Sequence, residues 1–533
     1  MRLSISLLCK ILPKSPYFVT TPIFYVNGEP HIGHLHTLLL ADVLHRYHKL
    51  RGCSETIFST GTDEHGLKVQ RAADSCQMKP LDFCDKISGK FLNLCGAFDI
   101  SPTHFLRTTD PSHKKSVQTF WNTLSKNGYI YKSYYEGWYS VPDETFVGPH
   151  DIEEKVVNNE RVKVFSQTGH VLEWLREENY MFRLSGILSE LKHWLASRSV
   201  SIKPAFFHEY LISVIDKGLD DLSISRPKTR LAWGIPVPDD DSQIIYVWLD
   251  ALVNYLTVSG YPDELRIWPP DCHVIGKDII NFHAIYWPAF LMAAGLEPPK
   301  TILCHSHWTV NDVKMSKSKG NVVNPLDLME PFSVDGVRYY FIRQAVPTHD
   351  ANFSPLQMKR FLNSELADTL GNLLLRSTAP AVNIKQIYPA TPSDSELSLL
   401  PGISEINESL GSLKNQVEEH FEGANFSRGL ADMMHPVRLV NKLFDEIKPW
   451  ILVKNDPNSL VLTSAIYIAL EVIRINAILL QPVVPSYSEK LLSKLGVGQE
   501  ERLWSYSVPY LGVRSRQETL LTPTKIIPFK KIR

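Results

Sequence analysis

At 533 residues the chain is too long for one hydrophobic core, and about three or four domains are expected. Its 44% hydrophobic and 21% charged content is ordinary for a soluble globular protein, and no run of about 18 uncharged apolar residues marks a membrane span. A formal net charge of −1 excludes nucleic-acid recognition by a global field and leaves only local basic patches.

Residues 1–16 carry Arg2, Lys10 and Lys14 among serines, leucines and isoleucines, and no Asp or Glu precedes Glu29. That acid-poor, amphipathic composition suits a mitochondrial presequence; Lys10 cuts the apolar stretch too short for a secretory signal. The seven cysteines, Cys9, Cys53, Cys76, Cys84, Cys95, Cys272 and Cys304, form no Cys-x-x-Cys pair and fit a reducing interior.

Tyr17–Thr21 is β-branched and aromatic and reads as a buried strand; Asn27-Gly28 turns the chain, and Gly33 opens a helix. Leu35, Leu38, Leu39, Val43 and Tyr47 recur at helical steps, predicting an amphipathic helix up to Arg51-Gly52. A second strand, Glu55–Ser59, runs into Gly61-Thr62-Asp63-Glu64-His65-Gly66, which sets Asp63 at a strand's carboxyl end, where open α/β sheets bind ligands. The expectation is an α/β, Rossmann-like doubly wound parallel sheet with its first half over 17–125.

Aromatic, glycine-rich and charged pieces over 126–238 predict an inserted module. The second half resumes over 239–300, with Ile244–Asp250 read as a strand ending at Trp248 and Asp250, and His273–Asp278 as another ending in a glycine loop. A linker at 301–355 carries Lys314-Met315-Ser316-Lys317-Ser318, and residues 356–533 predict an all-α helical bundle. Asn372 and Arg376, four apart, share one helical face with Glu365 and Thr369, while Leu366, Leu370 and Leu373 pack inward. The final Lys530–Arg533 reads as a frayed, solvated tail rather than a basic patch.

Two distant segments carry the chemistry. His31-Ile32-Gly33-His34 sets two imidazole donors at a helix start, whose positive dipole end favours phosphate, and Gly33 lets a nucleotide base approach the backbone. Lys317 would reach a triphosphate with Lys314 in support, Ser316 and Ser318 would donate, and Gly320 would let the loop close. Alone, the histidines suit a polar cap or half a metal site equally, and the Lys/Ser loop suits a solvated turn. Together they form a two-sided triphosphate clamp.

In this order and spacing the two segments resemble the signature of class I aminoacyl-tRNA synthetases. Phe18–Asn27, Gly61–Gly66, Trp233–Pro238, Tyr246–Ala251, Ile275–Asp278, Phe282-His283 and Lys448-Pro449-Trp450 extend the resemblance, from Phe18 into the early 500s, to the methionyl-tRNA synthetase family in its mitochondrial form. The resemblance implies activation of L-methionine with ATP and Mg2+, transfer to tRNA(Met), and work in the mitochondrial matrix. It implies a methionine pocket of Ile23, Tyr25, Trp248, Ala251, Leu252, Tyr255, His283 and Trp287. Asp63 would hold the ammonium, and Gly276 and Asp278 would meet the ATP ribose. Asn372, Arg376 and Trp450 would read the anticodon on the bundle.

Two departures bear on partners. No paired cysteines follow Glu136-Gly137-Trp138-Tyr139, so no structural zinc and no protein-held metal are expected. No long extra domain follows Trp450, so a monomer is expected. Leu252 stands where some relatives have proline. Leucine, isoleucine, valine and cysteine synthetases, and an idle tRNA-binding relative, remain alternatives, although the inserted module of about 110 residues is small for an editing insertion.

Overall fold

The computed structural model describes residues 15–141, 145–148, 151–157, 160–166, 168–197, 200–315, 320–344, 349–510, 515–523 and 529–532. The expected presequence lies almost wholly outside these.

The central sheet is built from β1 (Tyr17–Thr20), β2 (Phe24–Tyr25), β3 (Thr56–Asp63), β4 (His104–Arg107), β5 (Ser201–Lys203), β6 (Cys272–Gly276) and β7 (Thr301–His305), with helix α1 (Ile32–Leu50) between β2 and β3. All their pairings are parallel, in the order β5-β7-β6-β1-β3-β4, and β2 continues the line of β1 along the far half of β3. The chain winds outward from β1 to β3 and β4 on one side and to β6 and β7 on the other. The crevice at the strand carboxyl ends between β1 and β6 is therefore the topological switch point, where such sheets bind ligands. Phe18, Val19, Phe58, Val274 and Ile302 are buried, as a parallel sheet covered on both faces requires.

Three local expectations change. Ser201–Lys203, inside the stretch expected as the inserted module, is an edge strand of the main sheet, paired with Thr301–Leu303. The apolar run Ile244–Asp250 is not one strand: the strand Asp240–Ile245 ends, Tyr246 stays extended, and helix α2 (Val247–Leu252) begins. An uninterrupted apolar run cannot separate strand from buried helix by periodicity, and Asp250 has to turn inward toward two imidazoles. Helix α1 is not amphipathic but enclosed, with every residue from Leu35 to His45 buried. One side of it meets the sheet. The other meets the bundle, where the Tyr47 ring lies 5.3 Å from Phe421 and 5.1 Å from Trp504.

After the linker helix α3 (Val334–Gln344) come α4 (Asn372–Thr378), α5 (Ile403–Glu422), α6 (Phe426–Ile447), α7 (Leu460–Leu480) and α8 (Pro485–Lys494). By length and composition α7 could cross a membrane, but 89% of its most apolar window is buried inside the protein. Its two charges, Glu471 and Arg474, pair at 2.7 Å, and Tyr388 and Tyr510 supply further hydrogen bonds to Glu471. A single apolar core runs from the sheet through α1 into these helices.

Glu365 does not share the solvent stripe of Asn372 and Arg376. It is buried, accepting from Tyr339 Oη at 2.6 Å and pairing with Arg343 at 3.1 Å and Arg438 at 3.4 Å. Asn363–Gly371 is wound as a π-helix, whose wider turn breaks the four-residue stripe. The tail is not frayed either. Ile532 donates to Asn363 Oδ1 at 2.8 Å and accepts from its Nδ2 at 2.9 Å, and Lys531 pairs with Asp368 at 3.0 Å. The Phe529 ring fills space that a Cβ on Gly336 would enter, at 2.8 Å.

Candidate active site

The segment leaving β1 and β2 reaches the switch point as the His31–His34 turn. His31 Nδ1 accepts from Gly33 N at 3.0 Å and His34 Nδ1 accepts from His31 N at 3.1 Å, a reciprocal cap on α1 made of imidazoles. The two rings stack at 3.8 Å. Because each Nδ1 accepts, each neutral ring carries its proton on Nε2, so the histidines cap the helix and remain donors. A Cβ on Gly33 would sit 2.8 Å from the His31 ring, so glycine is what lets that ring fold back.

The second clamp segment abuts this turn. Ile32 N donates to Val323 O at 3.2 Å, and Met315 Cε lies 3.8 Å from where a Gly33 Cβ would stand. Asn321 Nδ2 donates to Lys314 O at 3.3 Å across the loop base, and Gly320 adopts φ +64°, a left-handed conformation that favours glycine. Ser316, Lys317 and Ser318 lie outside the described residues.

At the end of β6, a Cβ on Gly276 would come within 2.7 Å of Asp278 Oδ1, and His307 Nε2 lies 3.0 Å from that same oxygen. Shielding from water would raise the Asp278 carboxyl, but the His307 hydrogen bond and charge, with the Lys314 ammonium, outweigh it and hold the group well below the usual carboxylate range. At the end of β7, His305 Nε2 meets Thr37 Oγ1 at 2.8 Å, tying α1 to this rim.

The expected amino-acid residues cluster on both sides of the crevice. Tyr25 and Asp63 are ladder neighbours, and Val26 N donates to Asp63 O at 3.1 Å. The Lys68 ammonium lies 5.6 Å over the Tyr25 ring. Ile23, Ala251 and Leu252 are buried. Trp248, half-buried on α2, stacks on Phe282 at 3.6 Å and meets the His283 ring at 6.4 Å. His283 Nδ1 donates to Ile279 O at 3.0 Å, so its Nε2 accepts from Tyr255 Oη at 2.8 Å. Burial lowers the His283 imidazole to about 4, which keeps the acceptor neutral. Trp287 is buried beneath Tyr255 at 6.0 Å. Phe282–Tyr286 is π-helical just before Pro288, which has no N–H to donate back to that turn.

Several supporting side chains escaped the sequence reading. Asp250 on α2 accepts from His65 Nδ1 at 2.6 Å and His113 Nε2 at 2.8 Å, all three buried. Burial would raise its carboxyl, but the two imidazoles hold it at about 2. This fixes the Asp63–His65 turn against the Trp248 helix. Arg226, buried on Ser223 and Ser225 carbonyls, lies 4.4 Å from the Tyr246 ring. Isolated polar residues of this kind have no local spacing signal, because partners such as those of Asp250 lie far away in the chain.

On the bundle, Asn372, Arg376 and Trp450 come together. Arg376 lies 5.1 Å over the Trp450 ring and pairs with Asp445 at 2.7 Å, and Asn372 Nδ2 donates to Asn441 Oδ1 at 3.2 Å. Trp450 is 40% exposed.

A parallel sheet of this strand order, with the imidazole turn and the Lys314 loop at its switch point, defines the catalytic body of a class I aminoacyl-tRNA synthetase. A family model described as tRNA synthetases class I (M) matches residues 17–378, and one described as the anticodon binding domain of methionyl tRNA ligase matches 402–532. Mitochondrial methionine–tRNA ligases of Takifugu rubripes (47% identical, 92% of this chain and 84% of that one) and Homo sapiens (45%, 95% and 90%) are similar. A solved Mycobacterium tuberculosis methionyl-tRNA synthetase in complex with methionyl-adenylate has TM-score 0.88 at 36% identity, covering 96% of this chain and 99% of that one. The chain belongs to the class I methionyl-tRNA synthetases. That membership removes the leucine, isoleucine, valine and cysteine alternatives.

Proposed function

We propose that this chain activates L-methionine with ATP and transfers it to tRNA(Met) in the mitochondrial matrix. The carrying observation is the meeting, at one switch point, of the His31–His34 turn with Met315 against it, the Tyr25–Asp63 pair and the Asp278–His307 rim.

In the first step a methionine carboxylate oxygen attacks the α-phosphorus of ATP, the bond to the β-phosphate oxygen breaks, and pyrophosphate leaves. Little covalent chemistry falls to the protein, so positioning and charge stabilisation dominate. His31 and His34 donate from Nε2 to phosphate oxygens, and Lys317, with Lys314, Ser316 and Ser318, balances the charge that develops on pyrophosphate. Gly33 and Gly276 let the nucleotide lie close to the backbone, and Asp278 accepts from the ribose hydroxyls. Asp63 holds the methionine ammonium by a charge-assisted bond. Ile23, Tyr25, Trp248, Ala251, Leu252, Tyr255, His283 and Trp287 enclose the thioether, whose soft sulfur suits aromatic edges. In the second step a ribose hydroxyl of the terminal adenosine attacks the adenylate carbonyl carbon, gives up its proton, and AMP leaves.

Among the described residues no group of three or more His, Cys, Asp or Glu converges as a metal site. Mg2+ prefers phosphate oxygens and water, so it would be carried chiefly by the ATP phosphates. Asn372 and Arg376 present hydrogen-bonding edges to unstacked anticodon bases and Trp450 a stacking surface. The mitochondrial naming of the relatives supports the location.

Charging assays with labelled methionine test the reading. A tRNA(Met) transcript with a CAU anticodon should accept methionine far better than one with an altered anticodon. Equal charging of both would contradict the bundle's role, and no charging of either would contradict the enzyme.

A further inference from the structure

Helix α1 runs 19 residues, about 28 Å, from the His31–His34 cap to the bundle. Its middle and far end are clasped. At the far end Arg51 pairs with Glu418 and Glu422 of α5. In the middle, Asp42 is fully buried and meets Arg338 of α3 at 2.6 Å.

Arg338 is itself fully buried, and each of its N–H groups has an acceptor on another segment. Nε donates to Val483 O at 2.8 Å; Nη1 donates to Phe98 O at 3.0 Å and Asp99 O at 3.2 Å; Nη2 donates to Asp42 Oδ2 at 2.6 Å and Pro482 O at 3.0 Å. One side chain thus joins the catalytic helix, the turn that follows Pro80–Ala97, the linker helix and the α7–α8 turn of the bundle. Asp42 is completed by Arg46 Nε at 2.8 Å and Ser101 N at 3.1 Å.

A buried ion pair is weak evidence for stability, because well-packed apolar groups do as well, but directional bonds can specify a single arrangement. The apolar contact between α1 and the bundle is non-directional and by itself does not fix one register. A planar guanidinium with all its donors engaged does.

We propose that Arg338, through Asp42, is a positioning residue that holds the bundle in register with the catalytic helix, so that a tRNA bound by its anticodon delivers its 3′ end to the adenylate. The inference rests on the synthetase reading above. Without the lock the bundle still binds tRNA, but the bound complex spends less time with the acceptor end in place. The loss therefore falls on kcat for transfer, not on tRNA KM or adenylate formation.

The test uses Arg338→Lys, which keeps the charge beside Asp42 but cannot reach all the carbonyls. Methionine-dependent ATP–pyrophosphate exchange should stay within about twofold of wild type. Transfer from preformed adenylate should fall about tenfold or more in kcat, with tRNA KM within about twofold. If Arg338→Lys does not fold, Asp42→Asn/Arg338→Gln removes both charges together and carries the same measurements. An equal fall in exchange and transfer would reduce Arg338 to a structural residue of the active site, and a raised KM with intact kcat would reduce it to one of the bundle. Wild-type values throughout would also overturn the proposal. Absence of exchange in the wild-type protein would instead overturn the synthetase reading itself.

Discussion

The crevice at the strand ends and the face around Trp450 are both built to meet ligands, yet they are constructed oppositely. In the crevice the polar groups are held by second partners: buried Asp250 by two histidines, buried His283 between Tyr255 and a carbonyl, and Asp278, on the open rim, by His307. On the bundle, Arg376 rests on a tryptophan 40% exposed and pairs with an Asp445 whose side chain is 70% exposed. A small substrate needs a site fixed beforehand, because every ordering step is subtracted from binding. An RNA loop brings its own bases, and exposed pairs worth about 0–1 kcal/mol are easily exchanged for them.

The contrast can be broken from the crevice side first. Lys317→Ala should lower methionine-dependent pyrophosphate exchange about 10²–10³-fold with an unchanged circular dichroism spectrum; wild-type exchange would remove Lys317 from the clamp. The next test is pH. Burial lowers His283 and His305 from the ordinary imidazole value of 6.5 to about 4. The unfolded chain therefore takes up protons below pH 6.5 that the folded crevice refuses. Their contribution to stability is present above that value and lost as pH falls toward 4, on the order of 3 kcal/mol for each. Denaturant unfolding at stepped pH should show this slope, and His305→Gln should flatten it.

Asp63→Asn should raise the methionine KM about 10- to 100-fold in the exchange assay while leaving the ATP KM in place; a matched rise in both would mean a collapsed pocket. Trp450→Ala should lower tRNA charging about 5- to 150-fold and leave exchange untouched. Intact charging would take Trp450 out of the anticodon face, and lost exchange would erase the contrast between the two regions.

The legibility of these regions differed for physical reasons. β1, the Asp63 strand end and the His31–His34 turn were readable because strand propensity and glycine turns are local. Trp248 lies in the expected neighbourhood but on a helix rather than a strand, since a fully apolar run has no period to separate the two. Glu365 leaves the expected face because a π-helical turn shifts faces without any sequence signal. The docked Phe529–Ile532 and the Arg338–Asp42 pair depend on residues 163 to 296 positions away, beyond any local pattern. On the bundle, the spacing of Asn372 and Arg376 was legible, but their partners Asn441 and Asp445 were not.

The most direct measurement is pyrophosphate exchange of the full chain with each of the twenty amino acids in turn. Exchange that is strong with methionine and weak with all others is the predicted result. Exchange that favours leucine, isoleucine, valine or cysteine, or that responds to none, would contradict the assignment of the crevice.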